Sequence, residues 1–177
     1  NLIENLKRLK DDKEKIKGKN PTACYNKDGF VIIYEKSESD TGLSAYFVKE
    51  QKYSEIKLTK NNEIPNEYTC SKLNSETILI YLIENKIYAK KLPLSIYSQI
   101  EPILIVSNND IDNKNYIYSN ILAKETDDGI LISYIKTNKN ENNFKNIEYV
   151  IINHSDFVNG SNSNLQNFLH VSISSKD

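Results

Sequence analysis

Three segments of this chain follow nearly the same order of residue types, and they constrain the fold more than any other feature. They read KDGFVIIYEK at 27–36, SETILIYLIE at 75–84 and DDGILISYIK at 127–136. Each starts with a polar turn and continues into an apolar run. Gly29, Glu76 and Gly129 occupy corresponding places, at intervals of 47 and 53 residues. Repetition at this period indicates one structural unit that is built several times along the chain.

From residue 22 onward the chain has the pattern of β-strands. Short runs rich in Ile, Val, Tyr and Phe alternate with polar clusters, which is typical of strands and turns. Nothing between them has the roughly 10 to 15 residues of helical period that a parallel sheet requires, so the strands are predicted to be antiparallel. The candidate strands are Thr22–Tyr25, Phe30–Glu35, Leu43–Lys49, Glu55–Thr59, Tyr68–Lys72, Thr77–Ile83, Lys86–Leu92, Ile100–Val106, Tyr116–Lys124, Ile130–Thr137, Asn146–Ile152 and Leu169–Ser174.

The beginning of the chain has a different pattern. Its leucines recur at helical spacing among charged residues, which predicts a short amphipathic helix. Such a helix either docks on a partner, links two domains, or lies on the flank of its own domain. Gly18 and the Asn20-Pro21 pair are expected to end this helix. The sequence therefore divides into an N-terminal helix or linker, residues 1–20, and a β-repeat domain, residues 21–177.

The repeated order of short strand, Asp-Gly turn, apolar strand and Tyr-containing strand resembles the blades of a β-propeller. The resemblance implies units at about 21–65, 66–115 and 116–167, and the start of a fourth at 168–177. The terminal SISSKD is similar to the first half of a sialidase-type Asp box. Closed propellers typically have about four to eight blades, so the resemblance implies a partial propeller completed by further sequence or by a partner chain. A β-sandwich is the alternative, because Asp-Gly hairpins also occur in that fold.

Cys24 and Cys70 lack the spacing of a zinc or redox motif. Two buried thiols and one disulfide are both compatible with these residues. The propeller resemblance implies that the two cysteines lie close together, because each falls in the first strand of its unit and such strands lie near the central channel in adjacent blades.

Composition and charge argue against several classes of function. A net charge of −1 does not supply the clustered positive field of a nucleic-acid or anionic-membrane surface. Arg8 is the only arginine, so this chain alone cannot form the arginine cluster with which sialidases hold a carboxylate. The longest apolar runs have about six residues, where a membrane span needs about 18 to 20. The many Lys, Asn, Ile and Tyr residues suggest an AT-rich genome.

Two places come nearest to a catalytic or metal-binding pattern. His154 lies in the segment Asn-His-Ser-Asp, but a catalytic triad is assembled from separate segments rather than from consecutive residues. Residues 107–115 alternate Asn and Asp but lack the Gly and Glu of a calcium loop. Both are interpreted as solvated loops, and no catalytic residue, cofactor site or metal site is predicted.

The sequence thus predicts a non-catalytic module that binds a protein partner, such as a second chain that completes the propeller, in a secreted or cell-surface protein. Sequons at Asn153 and Asn159 are candidate glycosylation sites, and a cytoplasmic location is the alternative. Two other functional hypotheses stay open. One is a fragment of a propeller hydrolase of glycosidase type, and the other is a structural β-sandwich subunit of a large assembly.

Overall fold

The described part of the chain is built almost entirely from β-strands. The structure is a computed structural model, and it describes residues 18–26, 29–36, 42–49, 52–59, 63–92, 101–107, 115–140, 145–158, 168 and 171–173. Within these residues there are twelve strands and one short helix, which are β1 (Gly18–Asn26), β2 (Gly29–Lys36), β3 (Leu43–Lys49), β4 (Lys52–Lys57), β5 (Glu67–Leu73), β6 (Glu76–Ile83), β7 (Lys86–Lys91), β8 (Ile103–Val106), β9 (Tyr116–Thr126), β10 (Gly129–Asn138), β11 (Lys145–Ile152), α1 (His154–Val158) and β12 (Val171–Ile173). Each predicted strand overlaps one of the twelve, and the predicted all-β antiparallel class is confirmed.

The strands form three antiparallel sheets of four strands each. The first sheet has the order β1-β2-β3-β4, the second β5-β6-β7-β8 and the third β9-β10-β11-β12. Strands that follow one another along the chain are therefore neighbours in the sheet, so each unit is a simple meander. The three repeated segments supply β2, β6 and β10, the second strand of each sheet.

In every sheet the last pair formed by the first and second strands joins residues three positions apart. Asn26 pairs with Gly29, Leu73 with Glu76, and Thr126 with Gly129. Gly29 has φ 136° and Gly129 has φ 146°. Residues other than glycine rarely adopt this backbone conformation. In the second sheet Asn74 takes the left-handed conformation instead, with φ 57°, and Asn tolerates it better than most residues. The turn in the second unit therefore forms without an Asp-Gly pair.

The sheets pack face to face in chain order, with the second sheet between the other two. β5 packs against both β1 and β9, so the first strands of the three sheets lie side by side. On β6, Ile78 and Ile80 belong to a core shared with the third sheet, whereas Leu79 and Tyr81 belong to a core shared with the first. A strand covered on both faces must be apolar at consecutive positions, which explains the run TILIYLI. The alternative prediction is a two-layer β-sandwich, in which no sheet is covered on both faces. The second sheet of this chain is covered on both faces, so the described residues do not form a two-layer sandwich.

Gly18–Asn20, which the prediction places in the N-terminal helix or linker, belong to β1. Residues 1–17, where the amphipathic helix is predicted, lie outside the described residues. The strand continues through Pro21 because the register shifts between Lys19 and Thr22, and an irregularity of this kind accommodates a residue without an N–H group.

The segment predicted to open a fourth unit has a different position in the structure. Val171–Ile173 form β12, which pairs with β11 as the fourth strand of the third sheet. The edge of β11 offers unpaired backbone groups that a further strand can satisfy. Phe168, just before β12, is buried in the core between the second and third sheets. The described part of 168–177 thus completes the third unit.

Candidate interaction surface

The first strands of the first and second sheets are joined covalently. Cys24 on β1 and Cys70 on β5 form a disulfide, with their Cα atoms 6.0 Å apart. The repeat alignment puts the two residues at nearly the same place in successive units. In the structure Cys24 pairs with Val31 and Cys70 with Leu79, so they differ by one position and point toward each other across the core between the two sheets. The disulfide fixes the first sheet to the second at the edge where the first strands meet.

Each sheet carries a buried tyrosine at the same place in its second strand. Tyr34, Tyr81 and Tyr134 each follow the turn position of their unit by five residues and are almost fully buried. Tyr81 belongs to the core shared with the first sheet and Tyr134 to the core shared with the second, so each points toward the preceding sheet. The tyrosine that recurs in all three repeated segments is the sequence signal for this role.

Two of these tyrosines, one in the first sheet and one in the third, each hydrogen-bond to a glutamate that also pairs with a lysine. The Tyr34 hydroxyl donates to Glu55 Oε1 at 2.9 Å, and Lys36 Nζ lies 2.9 Å from the same oxygen. Burial raises the pKa of Tyr34 well above its usual value, and the hydrogen bond to Glu55 adds to the shift. Burial alone would raise the pKa of Glu55, but the hydrogen bonds from Lys36 and Tyr34 outweigh it and lower that pKa.

The third sheet repeats this arrangement. The Tyr134 hydroxyl donates to Glu148 Oε2 at 2.9 Å, and Lys136 Nζ lies 3.2 Å from Glu148 Oε1. Burial raises the pKa of Tyr134 well above its usual value, and the charge of Glu148 adds to the shift. In the second sheet Tyr81 instead stacks on Tyr88 with ring centroids 5.3 Å apart. The buried tyrosine thus contacts a Glu–Lys pair in the first and third sheets and a second tyrosine in the second sheet.

Among the described residues, no element packs on the other face of the third sheet. Ile147 on β11 lies directly opposite Ile173 on β12, and Leu131 and Ile135 on β10 lie opposite Ile151 and Ile147. The large exposed side chains of this face, which we call the open face, are Ile117, Leu122, Ile147, Ile151 and Ile173. They are between 39% and 67% exposed, and they are five of the seven large hydrophobic side chains exposed among the described residues. Clustering of this kind makes the open face a candidate interaction surface.

A bulge in β9 brings Ile117 and Leu122 to the same face. The register of β9 against β10 shifts between Ser119 and Leu122, and Asn120 has φ 54° at this point. Because the alternation of side chains is interrupted there, an odd-numbered and an even-numbered residue point the same way. The bulge extends the open face across all four strands of the sheet.

The equivalent faces of the other two sheets are buried. Val31 and Ile78 are the second residues after their turns and have no exposed surface, whereas Leu131, the matching residue of the third sheet, is half-buried. Likewise Ala45 and Ala89 are fully buried, whereas the matching Tyr149 is half-buried. In the first and second sheets this face is covered by the next sheet along the chain, and in the third sheet it is open.

A polar pocket of about 380 Å³ lies where β1, β5 and β9 meet, near the start of β1 and β5. Its carboxylates are already engaged, because Glu35 accepts from Asn20 Nδ2 at 2.9 Å and Glu67 accepts from the N–H of Ile121 at 3.0 Å. The Tyr68 hydroxyl donates to the Asn20 carbonyl. Burial raises the pKa of Tyr68 to about 12, and the charge of Glu35 adds to the shift. These contacts tie the three sheets together at this edge.

The structure places His154 at the start of α1, near Glu76 of the second sheet. Its Nδ1 atom lies 3.6 Å from Glu76 Oε2, and Lys91 Nζ lies 2.5 Å from Glu76 Oε1. Ser155 and Asp156 turn toward Asn153 instead, since Ser155 donates to Asn153 Oδ1 and Asp156 Oδ2 accepts from the Asn153 N–H. The segment thus begins a helix, and its Ser, His and Asp do not converge.

The remaining predicted sites are placed as follows. Asn153 is exposed, whereas Asn159 lies outside the described residues, as does most of 107–115. The described residues hold no group of three or more His, Cys, Asp or Glu side chains arranged to bind a metal ion. No helix within the described ranges is long and apolar enough to cross a membrane.

Comparisons with protein-family models, with curated proteins and with solved structures find no match for this chain. Its function is therefore inferred from the surface and the sheets themselves.

Proposed function

We propose that this chain is a non-catalytic protein-binding or scaffold module that forms part of a larger or multi-chain β-propeller. The observation that supports it most is the open face, where Ile117, Leu122, Ile147, Ile151 and Ile173 are exposed together. Burying apolar surface yields about 25 cal/mol per Å², so a partner that covers this face gains the same kind of energy that holds the three sheets to one another.

The stacking of the sheets supports the propeller part of the proposal. Each sheet is a four-stranded meander and its first strand lies beside the first strand of the next sheet, as blades do around a central axis. Closed propellers typically contain about four to eight blades. Three sheets would then be one section of the ring, and the open face is where the next section would pack.

The disulfide between Cys24 and Cys70 supports a secreted or cell-surface location. Disulfides persist in oxidising compartments and are rare in the reducing cytosol. The exposed Asn153 of the first sequon is compatible with this setting.

Covalent footprinting tests whether the open face binds a protein. The chain isolated from its natural source under native conditions is labelled with hydroxyl radicals, and the labelling is compared with that of the purified chain diluted until it sediments as a monomer. We expect Ile147, Ile151 and Ile173 to be protected in the native material, because a partner covers them. Ile64, which is 45% exposed and lies outside the open face, is the internal control. Equal labelling of the open face in both samples would refute the proposal.

A further inference from the structure

The two internal interfaces of the molecule show what covers a face like the open face. In both cases a sheet presents its tyrosine-bearing face to the preceding sheet. Tyr81 of the second sheet packs on the core with Val31 and Ile33, and Tyr134 of the third packs on the core with Ile78 and Ile80. A cover for the open face should therefore be another four-stranded sheet with a tyrosine-bearing face.

The first sheet carries such a face on its side away from the second sheet. Because Val31 and Ile33 point toward the second sheet, the intervening residues of β2 point away from it. We call this side the far face. It contains Tyr25, which is exposed, Phe30, Ile32 and Tyr46, which are half-buried, and Tyr34, which is buried. Tyr25 is 59% exposed and packs edge-on against Phe30 with ring centroids 5.2 Å apart.

The far face also has the polar network that the third sheet presents to the second. Tyr34, Glu55 and Lys36 match Tyr134, Glu148 and Lys136 in identity and in contacts. The tyrosines and the lysines in these two networks each lie 100 positions apart in the numbering. The stack of sheets therefore ends on one side in the open face of the third sheet. It ends on the other side in the far face of the first sheet, which has the chemistry of the faces that cover such surfaces inside the molecule.

We propose that the partner at the open face is a second copy of this chain, docked through the far face of its first sheet. This inference rests on the proposed function, since it names the partner of the same surface. If the contact is reciprocal, two chains close into a ring of six sheets, because a head-to-tail contact closes when the rotation permits it. Six is within the usual range of about four to eight blades. Six of the seven exposed large hydrophobic side chains lie on these two end faces.

A back-to-back dimer through two open faces is the contrasting arrangement. It would join two faces of the same type, whereas both internal interfaces join a face of one type to a face of the other. It would also leave Tyr25 exposed. The head-to-tail contact buries both ends of the stack and uses the pairing of faces already present twice in the molecule.

Sedimentation equilibrium of the purified chain with its disulfide intact tests this inference. We expect a species of twice the 20.4 kDa of one chain. Ile147→Lys on the open face and Tyr25→Lys on the far face should each weaken self-association about 100-fold or more, because each buries an unpaired charge in the contact. Ile64→Lys is the matched control and should associate like the unaltered chain. Far-UV circular dichroism checks that every variant is folded.

Mixing the two variants adds a second test. Chains with Ile147→Lys and chains with Tyr25→Lys can still form one undamaged contact, so the mixture should recover part of the association that each variant loses alone. Dimers of Tyr25→Lys as stable as those of the unaltered chain would overturn the head-to-tail arrangement. A monomeric unaltered chain would also overturn it. If footprinting of the native material still showed a covered open face, the protein-binding function would stand and the partner would be a different chain.

Discussion

Removal of the disulfide between Cys24 and Cys70 should destabilise the protein by about 4 kcal/mol. The bond joins residues 46 positions apart and so closes a large loop that contains most of the first sheet. A cross-link of this kind stabilises a protein mainly by lowering the entropy of the unfolded chain, and the effect grows with the logarithm of the loop length. For 46 residues the chain-entropy relation gives about 4 kcal/mol at 25 °C.

The effect is a large part of the stability that such a domain has. The free energy of unfolding of a small domain is typically about 5–15 kcal/mol. The double variant Cys24→Ala/Cys70→Ala removes the bond together with the sulfur atoms, and Cys24 is buried, so a small packing loss adds to the entropic term. The unaltered chain in reductant keeps the sulfur atoms and loses only the bond, which makes it the matched control.

Urea denaturation followed by circular dichroism measures the change. We expect the reduced chain to unfold with a free energy about 4 kcal/mol lower than that of the oxidised chain, and the double variant to be as unstable or slightly more so. A reduced chain whose free energy of unfolding lies within about 1 kcal/mol of the oxidised value would refute the argument that this bond stabilises the protein by closing a 46-residue loop.

Three further predictions concern a turn, a side-chain clamp and alkaline pH. Gly129→Ala should lower the free energy of unfolding by about 3 kcal/mol or more, because φ is 146° and a Cβ would lie 2.2 Å from the Ile152 carbonyl oxygen. Urea denaturation measures this change, and an unchanged midpoint of unfolding would contradict the prediction. Asn85→Gly should lower the free energy of unfolding by about 2 kcal/mol, because it keeps the left-handed turn but removes two hydrogen bonds of 2.8 Å to the backbone of β9. Asn74→Gly, at the other left-handed turn, is the control and should change the free energy of unfolding by only a few tenths of a kcal/mol. The contribution of Tyr68 to stability should be constant below about pH 10 and fall between pH 10 and 12, because the unfolded chain loses the Tyr68 proton near pH 10 while the folded chain keeps it to about pH 12. Tyr68→Phe should make the alkaline fall in the free energy of unfolding less steep, and an equal slope would contradict the assignment.

The sequence predicts the strands well because each is a local pattern. Alternating and continuous apolar runs mark all twelve, and the polar turns at Gly29, Glu76 and Gly129 mark the units. The N-terminal limit of β1 was missed because Gly18 and the Asn20-Pro21 pair are typical helix terminators, whereas here they accommodate a bulge and a close approach to Tyr34.

The pairing of strands and the choice of faces depend on contacts that local patterns do not contain. The sequence FLHVSIS predicts a strand at β12, but it does not indicate whether this strand pairs with β11 or begins a new sheet. β11 carries apolar residues on both faces, with Val150 and Ile152 buried and Ile147 and Ile151 exposed. Its sequence therefore does not show which face is open. Only the position of the third sheet at the end of the stack decides this.

The central claim is that this chain works as one section of a larger assembly of β-sheets. The most direct test is the native mass of the chain isolated from its natural source without reductant. We predict a mass well above 20.4 kDa, in a particle that contains a second copy or another chain with similar repeats. A stable monomer of 20.4 kDa that unfolds cooperatively would contradict the account, because the three sheets would then be complete without a partner.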